Sequence, residues 1–185
     1  MFKKPLSIIL AIILILSPAG CVEIDTNSTG SSDVGSTQID TSATAGEKNA
    51  LRSAKNYLSM MAFSYSGLIK QLEFEKYTTD EATYAADNCG ADWNEQALKK
   101  AKNYLDTSAF SHSGLIKQLE FEGFTAEQAA HGVENCGADW NEQAARKAKS
   151  YLDVMPFSRD GLITQLEFEG FTNEQAAYGA KANGL

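Results

Sequence analysis

The stretch that decides the fold is residues 97–143, ALKKAKNYLDTSAFSHSGLIKQLEFEGFTAEQAAHGVENCGADWNEQ, which is one copy of a repeated unit. Residues 50–96 match it without a gap at 31 of 47 positions, and residues 144–185 match residues 97–138 at 26 of 42. A fixed period of this length is typical of an array in which every unit is one supersecondary structure. The sequence therefore predicts repeat 1 at 47–96, repeat 2 at 97–143 and repeat 3 at 144–185.

Each unit carries the signals of three helices. In repeat 2, an acidic capping-box pattern at 92–95 precedes an apolar stripe made of Ala97, Leu98, Ala101, Tyr104 and Leu105. Ser111 and Gly123 are expected to bound the second helix, and Thr125 and Gly137 the third, because Ser and Thr favour helix starts and Gly favours helix ends. The predicted fold class is all-α, a tandem array of three helix-turn-helix-like repeats of three helices each.

Two tryptophans stand where one unit passes into the next. Trp93 opens the helix that leads into repeat 2, Trp140 opens the helix that leads into repeat 3, and repeat 3 has no successor and no Trp. A large aromatic side chain can fill the seam between packed units. We therefore predict repeat-junction packing for both residues, with ligand stacking as the alternative.

The first 20 residues have the features of a secretory signal peptide. Two lysines, Lys3 and Lys4, precede the aliphatic run 6–16, and small residues follow it. The run is shorter than the ~20 apolar residues that a membrane-spanning helix needs, so a spanning anchor is the weaker alternative.

Residues 16–21, LSPAGC, resemble a bacterial lipobox, with Pro18 where a leucine is usual. The resemblance implies acylation of Cys21 and cleavage between Gly20 and Cys21. Several acyl chains hold a protein at a bilayer far more firmly than one chain does. We expect a lipid-anchored protein on the outer face of a cell membrane, the alternative being an ordinary signal that leaves a free cysteine.

Residues 21–46 are expected to form the lipidated cysteine and a disordered tether. Thirteen of the 25 residues in 22–46 are Ser, Thr or Gly and none is Lys or Arg, so the segment buries too little apolar surface to fold. Loss of two signal-peptide lysines changes the net charge from −8 to −10. An acidic exported chain is a poor partner for nucleic acid, which binds through cations.

The second and third helices of each unit have a helix-turn-helix outline, which raises DNA binding as an alternative. In DNA-binding proteins the later helix enters the major groove. Here the segments 125–135 and 78–88 contain no Lys or Arg and several acidic residues. The outline is therefore interpreted as structural.

No catalytic residue, metal site or cofactor is predicted. The positions of His112 and His131 carry Tyr or Arg in the other units, which we interpret as exposure. Cys89 and Cys136 occupy equivalent helix ends without zinc-site spacing and are interpreted as small packing residues. A disulfide between Cys89 and Cys136 remains an alternative, because an exported chain can form disulfides.

Pairs of glutamates flank a phenylalanine in every unit. Residues i and i+2 of a helix point apart, which disfavours glycosidase chemistry for each pair. We interpret the pairs instead as a solvated acidic face that borders an aromatic residue, and the functional hypothesis is that this face is a docking strip for a basic partner. The predicted partner-binding residues are Glu73, Glu75, Glu120, Glu122, Glu167 and Glu169.

Three segments of repeat 2 resemble the repeat of the Ltp-type host-cell surface-exposed lipoproteins. They are 97–105, 110–122 and 123–129, and they recur at 144–152, 157–169 and 170–176, whereas repeat 1 departs with Lys76-Tyr77 in place of Gly-Phe. The resemblance covers residues 50–185. It implies a Gram-positive or phage origin and a role in superinfection exclusion, in which the lipoprotein stops the DNA of an incoming phage from crossing the membrane.

Two functional hypotheses follow. The first is a binding module that intercepts an injected phage component, such as the tape-measure protein. The second is a structural or adhesive surface protein that recognises the cell wall or another envelope protein. An enzyme is not expected.

Overall fold

The structure, a computed structural model, describes residues 43–185. The predicted signal peptide, Cys21 and most of the tether fall in residues 1–42, outside the described residues. The described part contains helices and no strand, which confirms the predicted all-α array. Its helices are α1 (Ala45–Met60), α2 (Tyr65–Phe74), α3 (Thr79–Asn88), α4 (Trp93–Thr107), α5 (His112–Phe121), α6 (Ala126–Asn135), α7 (Trp140–Leu152), α8 (Arg159–Phe168) and α9 (Asn173–Ala182).

The helix starts follow the side chains that cap them. Thr125 forms a full capping box with Gln128 at the start of α6, and Ser111 caps α5 by accepting a hydrogen bond from the Gly114 N–H. At the start of α4, Asp92 accepts from two backbone N–H groups, but the reciprocal half of the predicted box is not formed. The Glu95 carboxylate instead pairs with Lys99, 3.3 Å away.

The first helix of repeats 2 and 3 begins a few residues before the repeat boundary predicted from the sequence. Because α4 begins at Trp93, a boundary between residues 96 and 97 falls inside its first turn. The same offset occurs at Trp140, the first residue of α7. At the N-terminal side, Thr44 forms a capping box with Glu47, so residues 45 and 46, which the sequence assigns to the tether, belong to α1.

Each repeat has its own core, in which the first and third helices lie against each other and the second packs across them. In repeat 2 the α4–α6 contact is very close, since a Cβ added to Gly132 would lie 2.8 Å from the Ala97 carbonyl oxygen. Burial of α5 comes mainly from Leu115 and Leu119, both fully buried. Small residues thus let two helices approach, and leucines fill the remaining side.

Consecutive repeats are joined by the same pair of hydrogen bonds. The Ser64 Oγ donates to the Glu122 carbonyl at 2.6 Å, and the Ser66 Oγ donates to the Gly123 carbonyl at 3.0 Å. Ser111 and Ser113 bind the carbonyls of Glu169 and Gly170 at 2.6 and 3.2 Å. The start of one repeat's second helix is therefore fixed to the end of the next repeat's second helix.

Candidate functional site

The tryptophans lie at the two junctions. Trp93 is half-buried, packs on the core of repeat 1 and meets Tyr65 edge to face, with ring centroids 5.5 Å apart. Trp140 packs on the core of repeat 2 and meets His112 in the same way at 5.1 Å. His112 is therefore half-buried, and the exposure inferred from its variation was wrong. The equivalent residue of repeat 3 is Arg159, which has no Trp to pack against and is exposed.

The most distinctive surface feature is a phenylalanine at the last position of each second helix. Phe74, Phe121 and Phe168 expose 60%, 78% and 82% of their surface. They stand at equivalent positions, and we call them the exposed phenylalanines. Single exposed apolar side chains are common on protein surfaces, whereas contiguous exposed apolar patches mark interaction sites.

In repeats 2 and 3, the glutamates that follow the exposed phenylalanines are half-buried and bound to other side chains of the same repeat. Glu122 accepts a hydrogen bond from the Tyr104 hydroxyl and pairs with Lys100 at 2.9 Å. Glu169 has the same two kinds of partner, Tyr151 and, at 3.2 Å, Lys147. These carboxylates connect the first helix of a repeat to the end of its second helix.

Repeat 1 lacks the lysine of this arrangement. Glu75 accepts from the Tyr57 hydroxyl, but Ser53 stands where the other repeats have Lys, and it is hydrogen-bonded to Tyr77 at 3.1 Å. Burial raises the pKa of the Glu75 carboxyl. The Glu75 residue is nevertheless exposed, and the first repeat therefore holds this carboxylate with one partner where repeats 2 and 3 use two.

In repeats 2 and 3, the glutamates that precede the exposed phenylalanines are nearer to solvent than the glutamates that follow them. Glu120 and Glu167 are exposed and Glu73 is half-buried. Glu73 accepts from the Thr79 hydroxyl at 2.7 Å, and Glu167 accepts from the Asn173 amide at 2.8 Å. Glu75 is exposed, so the glutamates divide into outward ones before the phenylalanine and intramolecular ones after it in repeats 2 and 3, but not in repeat 1.

The exposed phenylalanines are the part of this surface that sequence reasoning left unassigned. Phe121 lies two residues beyond Leu119, out of phase with the buried Leu115 and Leu119. Helical periodicity alone therefore predicts that it points outward.

Some alternative chemistries find no support in residues 43–185. Within them no group of His, Cys, Asp and Glu side chains is arranged to hold a metal ion. Cys89 and Cys136 are unpaired, and each thiol contacts a carbonyl oxygen of its own helix, at 3.2 and 3.0 Å. In this part of the chain no helix is both long and apolar enough to cross a bilayer.

The fold and surface define an all-α array of three-helix repeats that presents one aromatic and one outward acidic side chain per repeat. The chain belongs to the family of host cell surface-exposed lipoproteins, whose model matches residues 46–89, 92–136 and 139–181. This confirms the resemblance identified from the sequence.

Among solved structures, the chain is similar to Ltp, a superinfection exclusion protein from the Streptococcus thermophilus temperate phage TP-J34. The identity is 40%, the alignment covers 50% of this chain and 97% of that one, and the TM-score is 0.48. A search of curated proteins found no match.

Proposed function

We propose that this protein is a membrane-anchored surface lipoprotein that binds an incoming phage component and blocks DNA injection. Its family membership supports exposure at the host cell surface. The observation that carries the binding role is the set of three equivalent phenylalanines, each exposed and each preceded by a glutamate. The partner is an injected phage protein, such as the tape-measure protein, whose apolar and basic residues meet this surface.

The exposed phenylalanines supply binding energy. Burying a Phe side chain at an interface contributes about 1.5–3 kcal/mol, and aromatic residues are enriched at protein interfaces. Three equivalent side chains let an extended partner engage several repeats at once, which raises avidity without tighter individual contacts.

The glutamates and the overall charge favour a basic partner. Cleavage of the signal peptide would remove Lys3 and Lys4, so the formal net charge would change from −8 for the whole chain to −10 for the mature chain. Complementary charge speeds encounter more than it tightens the final complex. The exposed Glu75, Glu120 and Glu167 add this attraction beside the phenylalanines.

Anchoring places the array where injection occurs. Lipidation of Cys21 would hold the chain at the outer leaflet, and a flexible tether would span about 25–30 Å on average. Confinement to this layer raises the local concentration of the repeats. A soluble form is therefore expected to protect far less per molecule than the anchored form.

The test compares phage infection of cells that carry the full protein, the Cys21→Ser variant or an empty vector. We expect the full protein to reduce plaque formation and intracellular phage DNA while adsorption stays normal, and Cys21→Ser to lose most of this protection. Labelled palmitate should enter the full protein and not the variant. An unlabelled full protein, or a variant that stays equally membrane-bound, would contradict the anchor.

A triple variant then tests the surface. Replacing Phe74, Phe121 and Phe168 by Ser should abolish protection while the protein stays folded. The control replaces Val154 by Thr and Met155 by Ser, since these residues are also exposed and repeat 2 carries Thr and Ser there. Equal protection by both variants would exclude the exposed phenylalanines as the binding surface.

The infection assay also separates the alternative functions. Normal plaquing by a panel of phages on cells with the full protein would favour an envelope-binding role, and protection through lost adsorption would indicate receptor masking.

A further inference from the structure

The two junctions between repeats differ at one cationic position. At the second junction, the Arg146 guanidinium donates to the Leu105 carbonyl at 2.8 Å and lies 3.5 Å from the Gln143 Oε1. Leu105 is in the last turn of α4, where helix carbonyls lack intrahelical partners. Arg146 thus bridges the end of α4 and the start of α7.

At the first junction this position carries Lys99, which does not make the bridge. Its ammonium pairs with Glu95 at 3.3 Å, and its side chain is 52% exposed. Gln96, the counterpart of Gln143, is only 5% exposed. Its Oε1 is the one buried side-chain nitrogen or oxygen without a hydrogen-bond partner in residues 43–185. A buried polar atom without a partner is unfavourable, because it has lost its hydrogen bonds to water and gained none in the protein.

An open groove of about 250 Å³ lies against this amide. One wall is the last turn of α1, with Leu58 as the counterpart of Leu105, and the other is the start of α4. Asp92, Glu95 and Lys55 also line the groove, and the Glu95 carboxylate is paired with Lys99. The groove therefore combines an unpartnered amide oxygen with the last turn of α1, where helix carbonyls lack intrahelical partners.

We propose that this groove is a binding site for an arginine side chain of the partner. The incoming guanidinium takes the place that Arg146 takes at the second junction and donates to the Gln96 Oε1 and the Leu58 carbonyl. A planar guanidinium reaches two acceptors at once, whereas the compact ammonium of a lysine does not. The assignment of this arginine to a phage protein rests on the proposed function, but the site itself does not.

The test uses nuclear magnetic resonance on the full-length mature lipoprotein in detergent micelles, titrated with N-acetylarginine amide or N-acetyllysine amide at matched ionic strength. We expect the arginine compound, and not the lysine compound, to shift the Gln96 side-chain amide and the backbone amides near Ser59 in a saturable way. The Lys99→Arg variant fills the groove from within the chain and should weaken this binding at least tenfold.

The matched variant is Arg146→Lys, which gives the second junction the cation of the first. It should gain a new arginine site reported by the Gln143 side-chain amide. Equal shifts from both compounds, unchanged binding by Lys99→Arg, or no gain in Arg146→Lys would overturn the proposal. Arginine binding that Lys99→Arg abolishes without lowering phage protection would overturn the assignment to a phage partner and leave the proposed function standing.

Discussion

At the scale of single residues, the junction depends on backbone that only glycine adopts easily. Gly123 has φ +89°, and a Cβ there would lie 2.2 Å from the Ser66 Oγ. Gly170 repeats this geometry with Ser113 at 2.3 Å. In repeat 1, Lys76 takes φ +74° at the equivalent position, and within residues 43–185 no serine side chain donates a hydrogen bond to its carbonyl. The sequence departure at Lys76 is thus found where a side chain has room.

The first prediction separates backbone strain from the junction contact. Gly123→Ala should destabilise the array by more than Gly137→Ala, because Gly137 has φ +75° with open space around it. A left-handed conformation costs an alanine about 1–2 kcal/mol, and loss of the Ser66 hydrogen bond adds roughly 1 kcal/mol. Urea unfolding of both variants measures the difference. Equal destabilisation would mean that the Ser66 contact contributes nothing.

At the scale of elements, a hydrogen-bonded tyrosine ties the first helix of each repeat to the second. In repeat 3 the Tyr151 hydroxyl donates to Glu169 and accepts from the Gln165 amide at 3.1 Å. Burial, followed by the bond to Glu169, raises the pKa of Tyr151 to about 12. The pKa of Tyr104 is raised for the same reasons in repeat 2. The neutral hydroxyl is therefore the form that the fold favours.

The second prediction concerns alkaline pH. Because the folded pKa of Tyr151 lies above the unfolded value of about 10, its stabilisation is fully present below pH 10 and is lost as pH rises through about 12. Tyr151→Phe should lower the melting temperature at pH 7 and reduce the loss of stability between pH 10 and 12. Tyr178→Phe, at an exposed tyrosine of the same repeat, is the control. If the stability of the unaltered protein, Tyr151→Phe and Tyr178→Phe falls in parallel between pH 10 and 12, the role of Tyr151 is refuted.

At the scale of the whole described array, regular junctions are combined with altered end surfaces. Ser64 and Ser111 bind the next repeat, but the corresponding Ser158 of repeat 3 is exposed, and Asp160 replaces the second serine. A carboxylate has no proton to donate to a carbonyl, so Asp160 cannot form the hydrogen bond that Ser66 and Ser113 form.

The third prediction tests the docking of whole repeats. Trp140→Ala should destabilise the protein by roughly 2–3 kcal/mol, less than the 3–5 of a fully buried Trp, because Trp140 is half-buried against His112 and the core of repeat 2. Phe168→Ala removes an aromatic side chain that is 82% exposed and should change the melting curve little. Equal melting curves for the two variants would place Trp140 outside the junction and favour ligand stacking.

The sequence by itself determined the three helical repeats, because period, apolar stripes and capping residues are local signals. Ser111, Gly123 and Thr125 act at the positions read from the sequence. Family membership followed from the same motifs.

Only the tertiary structure decided which side chains meet across repeats. Equivalent residues such as Lys99 and Arg146 look interchangeable in an alignment, yet one pairs within its helix and the other bridges a junction. Likewise, Glu120 and Glu122 are two residues apart, but one is exposed and the other binds Lys100. Such partners lie far apart in the chain, so local periodicity carries no information about them, and only packing brings them together.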